Sequence, residues 1–374
     1  MPASIRIIGS LNVDMVTVTP RFPGPGETIT ATSFTTSAGG KGANQAVACG
    51  RLSRSKPSSP STPANAPIDP SALQIEMLGA VGQLDAHFPT LLQPLLNTSG
   101  VRADRIRQIP DEHTGVAVIT VDSSAGGENR ILFSPGANYS GMRCTEEVLG
   151  MSLAVPMPDV MVLQAEIPVE TVVGILRGVR AWEEKEGGNA AGVDVVFNPA
   201  PAPEGGLPAD VYKAIDHLIM NETECEIMAP KELDRVAGEE SAATSVARRD
   251  KIARYFHSLG VRHVLVTLGA KGVWYSAGGV SGGEGERCTG EVPADKVEKV
   301  VDTTAAGDTF VGGYSVQIAR WRQERRAAGR GEMDITVDER KAFMDKAVRW
   351  ATRASARCVE REGAMASIPW EDEI

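Results

Sequence analysis

The feature that most constrains this chain is a repeated alternation of short apolar segments, suited to buried strands, with longer segments of helical character. The apolar run Val160–Gln164 is followed by Pro168, which stands at the first position of a predicted helix. The pattern returns at His217–Met220, and a helix predicted near Ser241–Leu259 precedes the strand-like run His263–Leu268. Because strands that alternate with helices form a parallel, doubly wound sheet with helices on both faces, we predict a mostly parallel α/β fold.

The first part of the chain interrupts this alternation. β-rich runs such as Val13–Thr19 and Thr114–Val121 are followed by turn-rich or Gly-rich connections rather than by helices. We expect these segments to form a small separate sheet, made from about residues 13–36 and 106–133, that covers one edge of the main sheet as a lid.

The length of 374 residues permits two or three ordinary domains. From Ser53 to Pro70, however, ten of eighteen residues are Ser or Pro, a composition that buries too little apolar surface to order itself. We predict that residues 53–70 are a flexible surface insertion and that residues 1–374 form one domain that carries the lid.

Composition and charge exclude several classes of protein. The net charge of −10 argues against a nucleic-acid binder, which normally presents a basic face. No run reaches the roughly 20 apolar residues of a membrane helix, and the first residues lead directly into a strand-like run without an apolar leader. Five scattered cysteines without a Cys-x-x-Cys pair are typical of a reduced compartment. We expect a soluble cytoplasmic protein, with the nucleus as the alternative compartment, that binds neither nucleic acid nor membrane.

Several common catalytic motifs are missing. The glycine loop Gly39–Ala43 does not fit the Walker pattern, and no Gly-x-Gly-x-x-Gly follows the first strand. The five histidines have no metal-ligand spacing. A Walker-type nucleotide site and a nicotinamide site are therefore poorly supported.

The strongest local signal is the segment Val301–Phe310. A β-like run ends at Asp302, and small residues open a helix that begins near Asp308. Unpaired N–H groups at such a helix start bind a phosphoryl group, and a carboxylate placed beside them can act as a general base. The alternative is that Asp308 only stabilises the helix start and Gly307 only allows close packing.

A second signal is Asn221-Glu222-Thr223-Glu224, which follows a predicted strand. One interpretation is a capping box, with Asn221 as N-cap and Glu224 three residues later. The other is that both side chains hold, through water, the Mg²⁺ that carries ATP phosphates. The two interpretations are compatible.

Polar residues near the start of the chain supply the third and fourth signals. Asn12, Asp14 and Asn44 follow a predicted strand or the glycine loop and suit sugar hydroxyls, although each could instead bond its own backbone in a turn. Glu166 stands just past the carboxyl end of Val160–Gln164, which is the edge where open α/β sheets bind ligands.

Together these motifs resemble the ribokinase-like carbohydrate kinase family, and the chain is identified as a member from about Arg6 to Glu373. The resemblance rests on elements that occur in the family's order: Gly39–Ala43, Asn198–Ala202, Asn221–Glu224, Thr267–Gly272, Asp302–Phe310 and Arg361–Trp370. It implies a doubly wound kinase domain with a β lid, homodimerisation through that lid, and ATP-dependent phosphorylation of D-ribose at the 5-hydroxyl to give ribose 5-phosphate and ADP.

The resemblance also implies roles for individual residues. The ribose pocket would be lined by Asn12, Asp14, Gly40, Lys41, Gly42, Asn44, Glu166 and Asp308. Asp308 would remove the proton from the 5-hydroxyl, with the γ-phosphate held by the amides of Ala305, Ala306, Gly307 and Asp308. ATP would contact Asn221, Glu224, Thr267, Gly269, Gly272, Gly307 and Thr352.

Two cations are implied as cofactors. Mg²⁺ would accompany ATP and be held through water by Asn221 and Glu224. K⁺ would act as an activating monovalent cation beside the anion hole, where it would draw the loop into its working shape. The positions implied for K⁺, several acting through backbone carbonyls, are Asp302, Thr304, Cys358, Arg361, Gly363 and Ser367.

Two positions depart from the family's commoner pattern. Thr352 replaces a histidine that bacterial members place against the adenine, and Ala305 stands where glycine is commoner. Two alternative functions also stay open: a sister kinase acting on deoxyribose, fructose or a nucleoside such as adenosine, and a sugar-binding homologue without catalysis. A 2-deoxy sugar would leave polar groups of the pocket unpaired, which favours ribose. The intact Asp308, Gly307, Asn221 and Glu224 favour an active enzyme.

Overall fold

Strand β1 (Ser4–Ile8) lies in the interior of a nine-stranded sheet, flanked on either side by parallel strands. The computed structural model describes residues 2–58, 72–124, 128–185, 192–234, 245–278, 287–331 and 335–374. Most of the predicted insertion 53–70 therefore lies outside the described residues. None of the described helices is long and apolar enough to cross a membrane.

The large sheet has the order β13-β12-β11-β10-β9-β8-β1-β4-β5. All its pairings are parallel except those of β12 and β13, which add an antiparallel edge. Its strands after β1 are β4 (Gln74–Gly82), β5 (Val101–Ile109), β8 (Val160–Gln164), β9 (Asp194–Asn198), β10 (His217–Asn221), β11 (His263–Thr267), β12 (Val273–Ala277) and β13 (Cys288–Val292).

Helices cover both faces of this sheet. They are α1 (Lys41–Leu52), α2 (Gln93–Thr98), α3 (Ala137–Ser140), α4 (Glu146–Ser152), α5 (Val169–Lys185), α6 (Glu222–Met228), α7 (Val246–Ser258), α8 (Ala306–Ala327) and α9 (Val337–Val359). The two faces form separate buried clusters, one with α1, α8 and α9 and the other with α4, α5, α6 and α7.

Alternation along the strands explains why both faces are apolar. In β8, Val160 and Val162 pack into the first cluster, whereas Met161 and Leu163 pack into the second. A strand whose apolar side chains point alternately to the two faces of the sheet must be covered on both faces. The predicted doubly wound architecture is confirmed.

A second sheet of four strands stands apart, in the order β3-β2-β6-β7. Its strands are β2 (Asn12–Thr19), β3 (Ser33–Gly39), β6 (Gly115–Asp122) and β7 (Glu128–Ser134). The pair β2 and β6 is parallel, while the outer pairs are antiparallel. We refer to these strands as the small sheet.

One predicted boundary of the lid differs from the structure. Residues 106–109 belong to β5 at the edge of the large sheet and not to the small sheet. The reason is the burial pattern of β5, in which Val101, Ala103 and Ile106 pack into the main core. A strand whose buried face continues the main core pairs with the edge of the large sheet, which here is β4.

The small sheet joins the large domain at one end, which we call the junction: Asn12, Gly40, Gly115 and Pro135. Asn12 is paired with Gly115 across β2 and β6. The buried amide of Asn138 donates from Nδ2 to Asn12 Oδ1 at 2.7 Å and accepts from the Leu11 amide at 2.9 Å. These bonds fix the end of the small sheet to the large domain.

Candidate active site

The predicted functional residues gather at the carboxyl edge of the large sheet. Strands β8, β9, β10 and β11 end there at Gln164, Asn198, Asn221 and Thr267. Asn221 and Thr267 are neighbours in the register of β10 and β11. Parallel strands bring residues that are distant in sequence to one edge, and open α/β sheets bind ligands there.

The glycine loop brings the start of α1 against the end of β1. Gly40 has φ +91°, and a Cβ on it would lie 2.6 Å from the Asn12 amide nitrogen. A Cβ on Gly42 would likewise lie 2.6 Å from the Ser10 amide nitrogen. Side chains at these positions would separate the two segments, so the loop needs glycine for close approach.

Glu166 is the acceptor at the centre of a hydrogen-bonded group that joins β2, the start of α1 and the segment after β1. Its Oε2 accepts from Ser10 Oγ at 2.6 Å, from the Lys41 amide at 3.0 Å and from Asn12 Nδ2 at 3.4 Å. The predicted pocket residues Asn12, Lys41 and Glu166 are therefore in one hydrogen-bonded group.

Asp14 lies on the small sheet and faces the same group. Its carboxylate packs against Gly39, where a Cβ would lie 2.3 Å from Oδ2. Burial, followed by the charges of Glu166 and Asp308, raises the pKa of Asp14 to about 6, and only Lys41 opposes the shift. This carboxylate is thus poised to change charge near neutral pH.

Lys41 carries the positive charge that offsets this cluster of acids. Burial lowers the pKa of Lys41, but the charges of Asp308, Glu166, Glu224 and Asp14 outweigh it and raise that pKa above its ordinary value. Lys41 is therefore a cation that lies within the electrostatic reach of four of the predicted site acids.

Asp308 lies in the first turn of α8 and is buried, with 7% of its surface exposed. Its Oδ2 accepts from Asn44 Nδ2 and its Oδ1 from Gln45 Nε2, both at 2.9 Å. Asn44 Oδ1 is buried and has no hydrogen-bond partner among the described residues. It is therefore an acceptor available to a ligand hydroxyl.

The start of α8 also has the geometry of an anion hole. Ala305, the N-cap, is left-handed with φ 60°. Within the described chain, the Gly307 and Asp308 amides have no acceptor, while the Ala306 amide makes a long bond of 3.3 Å to Thr303 O. Free N–H groups at the positive end of a 22-residue helix favour an anion.

Asn221 and Glu224 form a full capping box at α6. Asn221 Oδ1 accepts from the Glu224 amide at 2.8 Å, and Glu224 Oε2 accepts from the Asn221 amide at 2.9 Å. Burial raises the pKa of Glu224, against the opposing effects of the Asn221 amide and Lys41. The capping interpretation is therefore confirmed, while the Mg²⁺ role stays a prediction.

The loop predicted to contact the nucleotide follows β11. Leu268 donates to the Gly272 carbonyl at 2.8 Å, which closes the loop that contains Gly269. Thr352 is buried in α9 with its hydroxyl bonded to the Val348 carbonyl at 2.8 Å, and its contact with ATP stays a prediction. The loop residues and Asn221 are brought together, whereas the Thr352 hydroxyl is already satisfied within its own helix.

The positions implied for a monovalent cation also come together, behind the anion hole. Asp302 accepts from the Gly363 amide at 3.0 Å and from the Thr304 amide at 2.8 Å. Burial opposes ionisation of Asp302, but these bonds outweigh it and hold the pKa of Asp302 below its usual value. Cys358 Sγ lies 3.1 Å from Ser367 Oγ and 3.7 Å from the Thr304 carbonyl.

Arg361 is the exception in this cation group. Its guanidinium pairs with Glu373 at 2.9 Å, and its backbone amide donates to the Cys358 carbonyl at 3.1 Å. An ionised carboxylate with neighbouring carbonyls and hydroxyls is an oxygen-rich donor set, which suits a hard cation. Among the described residues no group of three or more His, Cys, Asp or Glu side chains could hold a metal ion.

Three buried amides of the site, Gln45, Gln164 and Asn198, were not singled out as functional from the sequence. Gln45 follows the predicted Asn44, and the other two end apolar strands. For Gln164 and Asn198 the available signal was a polar amide at the end of an apolar run, which a strand buried on both faces does not otherwise need.

Comparison with known proteins agrees with this geometry. The chain matches the pfkB family of carbohydrate kinases over residues 2–371 and belongs to that family. The predicted family and the predicted enzyme class are therefore confirmed.

The relatives point to one branch of this family. A ribokinase of Schizosaccharomyces pombe is 35% identical over 369 residues, which cover 98% of this chain and 95% of the relative. A ribokinase of Haemophilus influenzae is 33% identical over 374 residues, covering 100% and 97%. The structure of Arabidopsis thaliana ribokinase complexed with ribose and ATP is similar with a TM-score of 0.74 at 26% identity, covering 100% of this chain and 97% of that one.

Proposed function

We propose that this carbohydrate kinase transfers the γ-phosphoryl group of ATP to the 5-hydroxyl of D-ribose, giving ribose 5-phosphate and ADP. The observation that carries the proposal is the position of Asp308, bonded to Asn44 on the sugar side and placed beside free N–H groups at the start of α8. A base and an anion hole thus meet where the two substrates would meet. The ribokinases among the relatives support the same reaction.

The sugar would be held by acceptors and donors of the Glu166 group. Asp14 accepts from ribose hydroxyls, and Asn12 lies on the side of the anomeric or 2-hydroxyl group. Asn44 Oδ1, buried and unpartnered among the described residues, accepts a further hydroxyl. A sugar that lacks a hydroxyl would leave such a group unpaired, which supports ribose over deoxyribose.

Phosphoryl transfer would be in line. Asp308 takes the proton of the 5-hydroxyl, the 5-oxygen bonds to the γ-phosphorus, and the bond from that phosphorus to the bridging oxygen of ADP breaks. The Ala305–Asp308 amides stabilise the charge on the γ-phosphoryl oxygens. The chain contributes mainly positioning and electrostatics, as this chemistry requires.

Cations would complete the nucleotide side. Mg²⁺, when bound with ATP, neutralises phosphate charge, and Asn221 and Glu224 would hold it through water. A monovalent cation, K⁺, is proposed at Asp302, Thr304 and the backbone near Gly363. The support is the ionised Asp302 and the oxygen-rich loop directly behind the left-handed Ala305.

The direct test is ADP release, coupled to a spectroscopic signal, with ribose, deoxyribose, fructose and adenosine, each with and without K⁺. We expect ribose to give the highest kcat/KM and K⁺ to increase it. Asp308→Asn should lower kcat about 10³-fold while ribose still binds. The surface variant Asp210→Asn is the matched control and should keep full activity. Higher kcat/KM with another sugar, or ribose binding without turnover in the wild type, would reject the proposal.

We also propose a homodimer formed through the small sheet. The support is an exposed apolar surface on that sheet, where Ile131, Leu132 and Phe133 are 56%, 73% and 41% exposed and Phe34 is 61% exposed. Contiguous apolar residues of this kind mark interaction surfaces. The predicted cytoplasmic location, with the nucleus as the alternative, stays a prediction from the sequence.

A further inference from the structure

A chain of buried amides runs from Asp308 into the core of the large sheet. Gln45 Nε2 donates to Asp308 Oδ1 at 2.9 Å and to Asn198 Oδ1 at 3.1 Å. Gln45 Oε1 in turn accepts from Gln164 Nε2 at 2.7 Å. Gln45 and Gln164 are fully buried, and Asn198 is 8% exposed. None of these three side chains has been assigned a role above.

The direction of every bond in this chain is fixed by its two ends. A carboxylate oxygen only accepts, so the Gln45 atom that faces Asp308 must be the nitrogen. At the other end Asn198 Nδ2 donates to the Ile219 carbonyl at 3.0 Å, which turns Asn198 Oδ1 toward Gln45. Gln45 therefore cannot reverse its amide without breaking three bonds at once.

Gln164 packs closely against Gly9, where a Cβ would lie 1.9 Å from Gln164 Oε1. That oxygen is buried and has no hydrogen-bond partner among the described residues. Gln164 Nε2 is directed at Gln45 Oε1 because the reversed amide would place two acceptor oxygens against each other. The hydrogen bonds of Gln45 with Gln164 and Asn198 thus hold its amide in one orientation.

We propose that Gln45 is a positioning residue for Asp308, and that Gln164 acts through Gln45. Asn44 holds one carboxylate oxygen and Gln45 the other, so the plane of the Asp308 carboxylate is fixed before substrate binds. A base whose lone pair already points at the incoming hydroxyl reacts without first reorienting. This inference rests on the proposed role of Asp308 as the base.

The test uses the full chain and the variants Gln45→Met, Gln164→Met and their combination. Methionine keeps the length of glutamine and removes the amide. We expect Gln45→Met to lower kcat about 10- to 100-fold while KM for ribose and ATP stays within about twofold, because the base is misplaced and the substrate contacts remain. Gln164→Met should lower kcat less, and the double variant should be no slower than Gln45→Met alone.

The matched control is Gln323→Met. Gln323 accepts from the Ala3 amide at 3.0 Å near the amino end of β1, away from the site. Loss of this amide should affect stability without changing kcat. Thermal unfolding of each variant separates lost folding from lost turnover.

Several outcomes would overturn the inference. Gln45→Met with wild-type kcat would remove the positioning role, and a raised KM with unchanged kcat would make Gln45 a substrate contact instead. Additive losses of kcat in the double variant would show that Gln164 does not act through Gln45. If Gln45→Met does not fold, Gln164→Met decides the matter, because the contacts of Asp308 remain in that variant.

The proposed function fails in a different way. In that case the wild type lacks ribose kinase activity, or Asp308→Asn stays active, whatever the glutamine variants do. An active wild type that needs Asp308 but tolerates Gln45→Met contradicts only the positioning role.

Discussion

Asp14 illustrates how burial and neighbouring charges set the charge state of a single side chain near neutral pH. The carboxylate is partly withdrawn from water and faces Glu166 and Asp308, with Lys41 as the nearby cation. Its charged form is therefore unfavourable in the free protein, and its pKa is raised to about 6. Such a group binds hydroxyl donors best when it is ionised, above that pH.

We predict that ribose binding weakens as the pH falls through about 6. Below this value Asp14 is protonated and loses an acceptor, so Kd for ribose should rise by up to about tenfold for each further pH unit. The measurement is ribose titration by calorimetry between pH 5 and 8. Asp14→Asn should bind weakly but without this dependence. A wild-type Kd for ribose that stays constant between pH 5 and 8 would contradict the proposed role of Asp14 as an acceptor for ribose hydroxyls.

At the residue scale, the sequence allowed us to predict site residues that stand at loop or strand ends. It did not allow us to predict Gln45, which we propose as a positioning residue. Asn12, Glu166 and Asp308 are polar residues at such ends, and the structure places them in one site. Gln45 is different, because a glutamine inside a predicted helix has many neutral explanations. Only the three-dimensional contact with Asp308 distinguishes it.

Among the elements, α6 would combine its observed N-cap with the proposed Mg²⁺ role in one turn. Its N-cap Asn221 stabilises the helix start, and the same residue ends β10 beside Thr267. A cap that lies at the ligand edge can serve a Mg²⁺–phosphate group without further structure. The two tasks differ in what they require of the side chain.

We predict that Asn221→Ser keeps the N-cap of α6 but weakens the proposed Mg²⁺ role. Serine is as good an N-cap as asparagine, so the free energy of unfolding should change by less than about 0.5 kcal/mol. Serine does not present the same amide oxygen, so the Mg²⁺ concentration for half-maximal activity should rise about tenfold. Denaturant unfolding and Mg²⁺ titration of activity measure the two effects. Asn221→Ala is the control that should lose about 1 kcal/mol of stability. An unchanged Mg²⁺ requirement in Asn221→Ser would leave Asn221 as a cap only.

Elements with a strong pattern were predicted with accurate bounds, and elements that depend on neighbours were not. The strand predicted at Val160–Gln164 is observed with the same bounds, since five consecutive buried residues need no partner to be recognised. By contrast β12 and β13 form the antiparallel edge of the sheet, and β5 was partly assigned to the lid. Pairing between strands, rather than composition, determines where such segments belong.

At the scale of the whole molecule, the small sheet has exposed apolar residues on both of its faces. Ile131 and Phe133 lie on one face of β7, and Leu132 lies on the other, opposite the exposed Val118. A sheet with two apolar faces is poorly stable alone in water. This is the physical support for the proposed dimer.

We predict that Leu132→Glu converts a dimer to a monomer, because a charge placed in the proposed interface would be buried without a partner. Sedimentation at micromolar concentration measures the change. Val155→Glu, at a residue that is 75% exposed and distant from the small sheet in sequence, is the matched control and should stay dimeric. A monomeric wild type, or a Leu132→Glu variant that stays dimeric, would contradict the proposed interface.

When the small sheet tilts about the junction, the displacement of each residue grows with its distance from the junction. Because a strand rises about 3.3 Å per residue, Asp14 lies about 7 Å along β2 from Asn12, and Thr19 about 23 Å. A rotation of about 20° about the junction would move Asp14 by about 2 Å but Thr19 by about 8 Å. Asp14 therefore moves about 3.5-fold less than Thr19 for the same tilt of the sheet, so a fluorescent label near the far end would report a change in tilt with about 3.5-fold amplification.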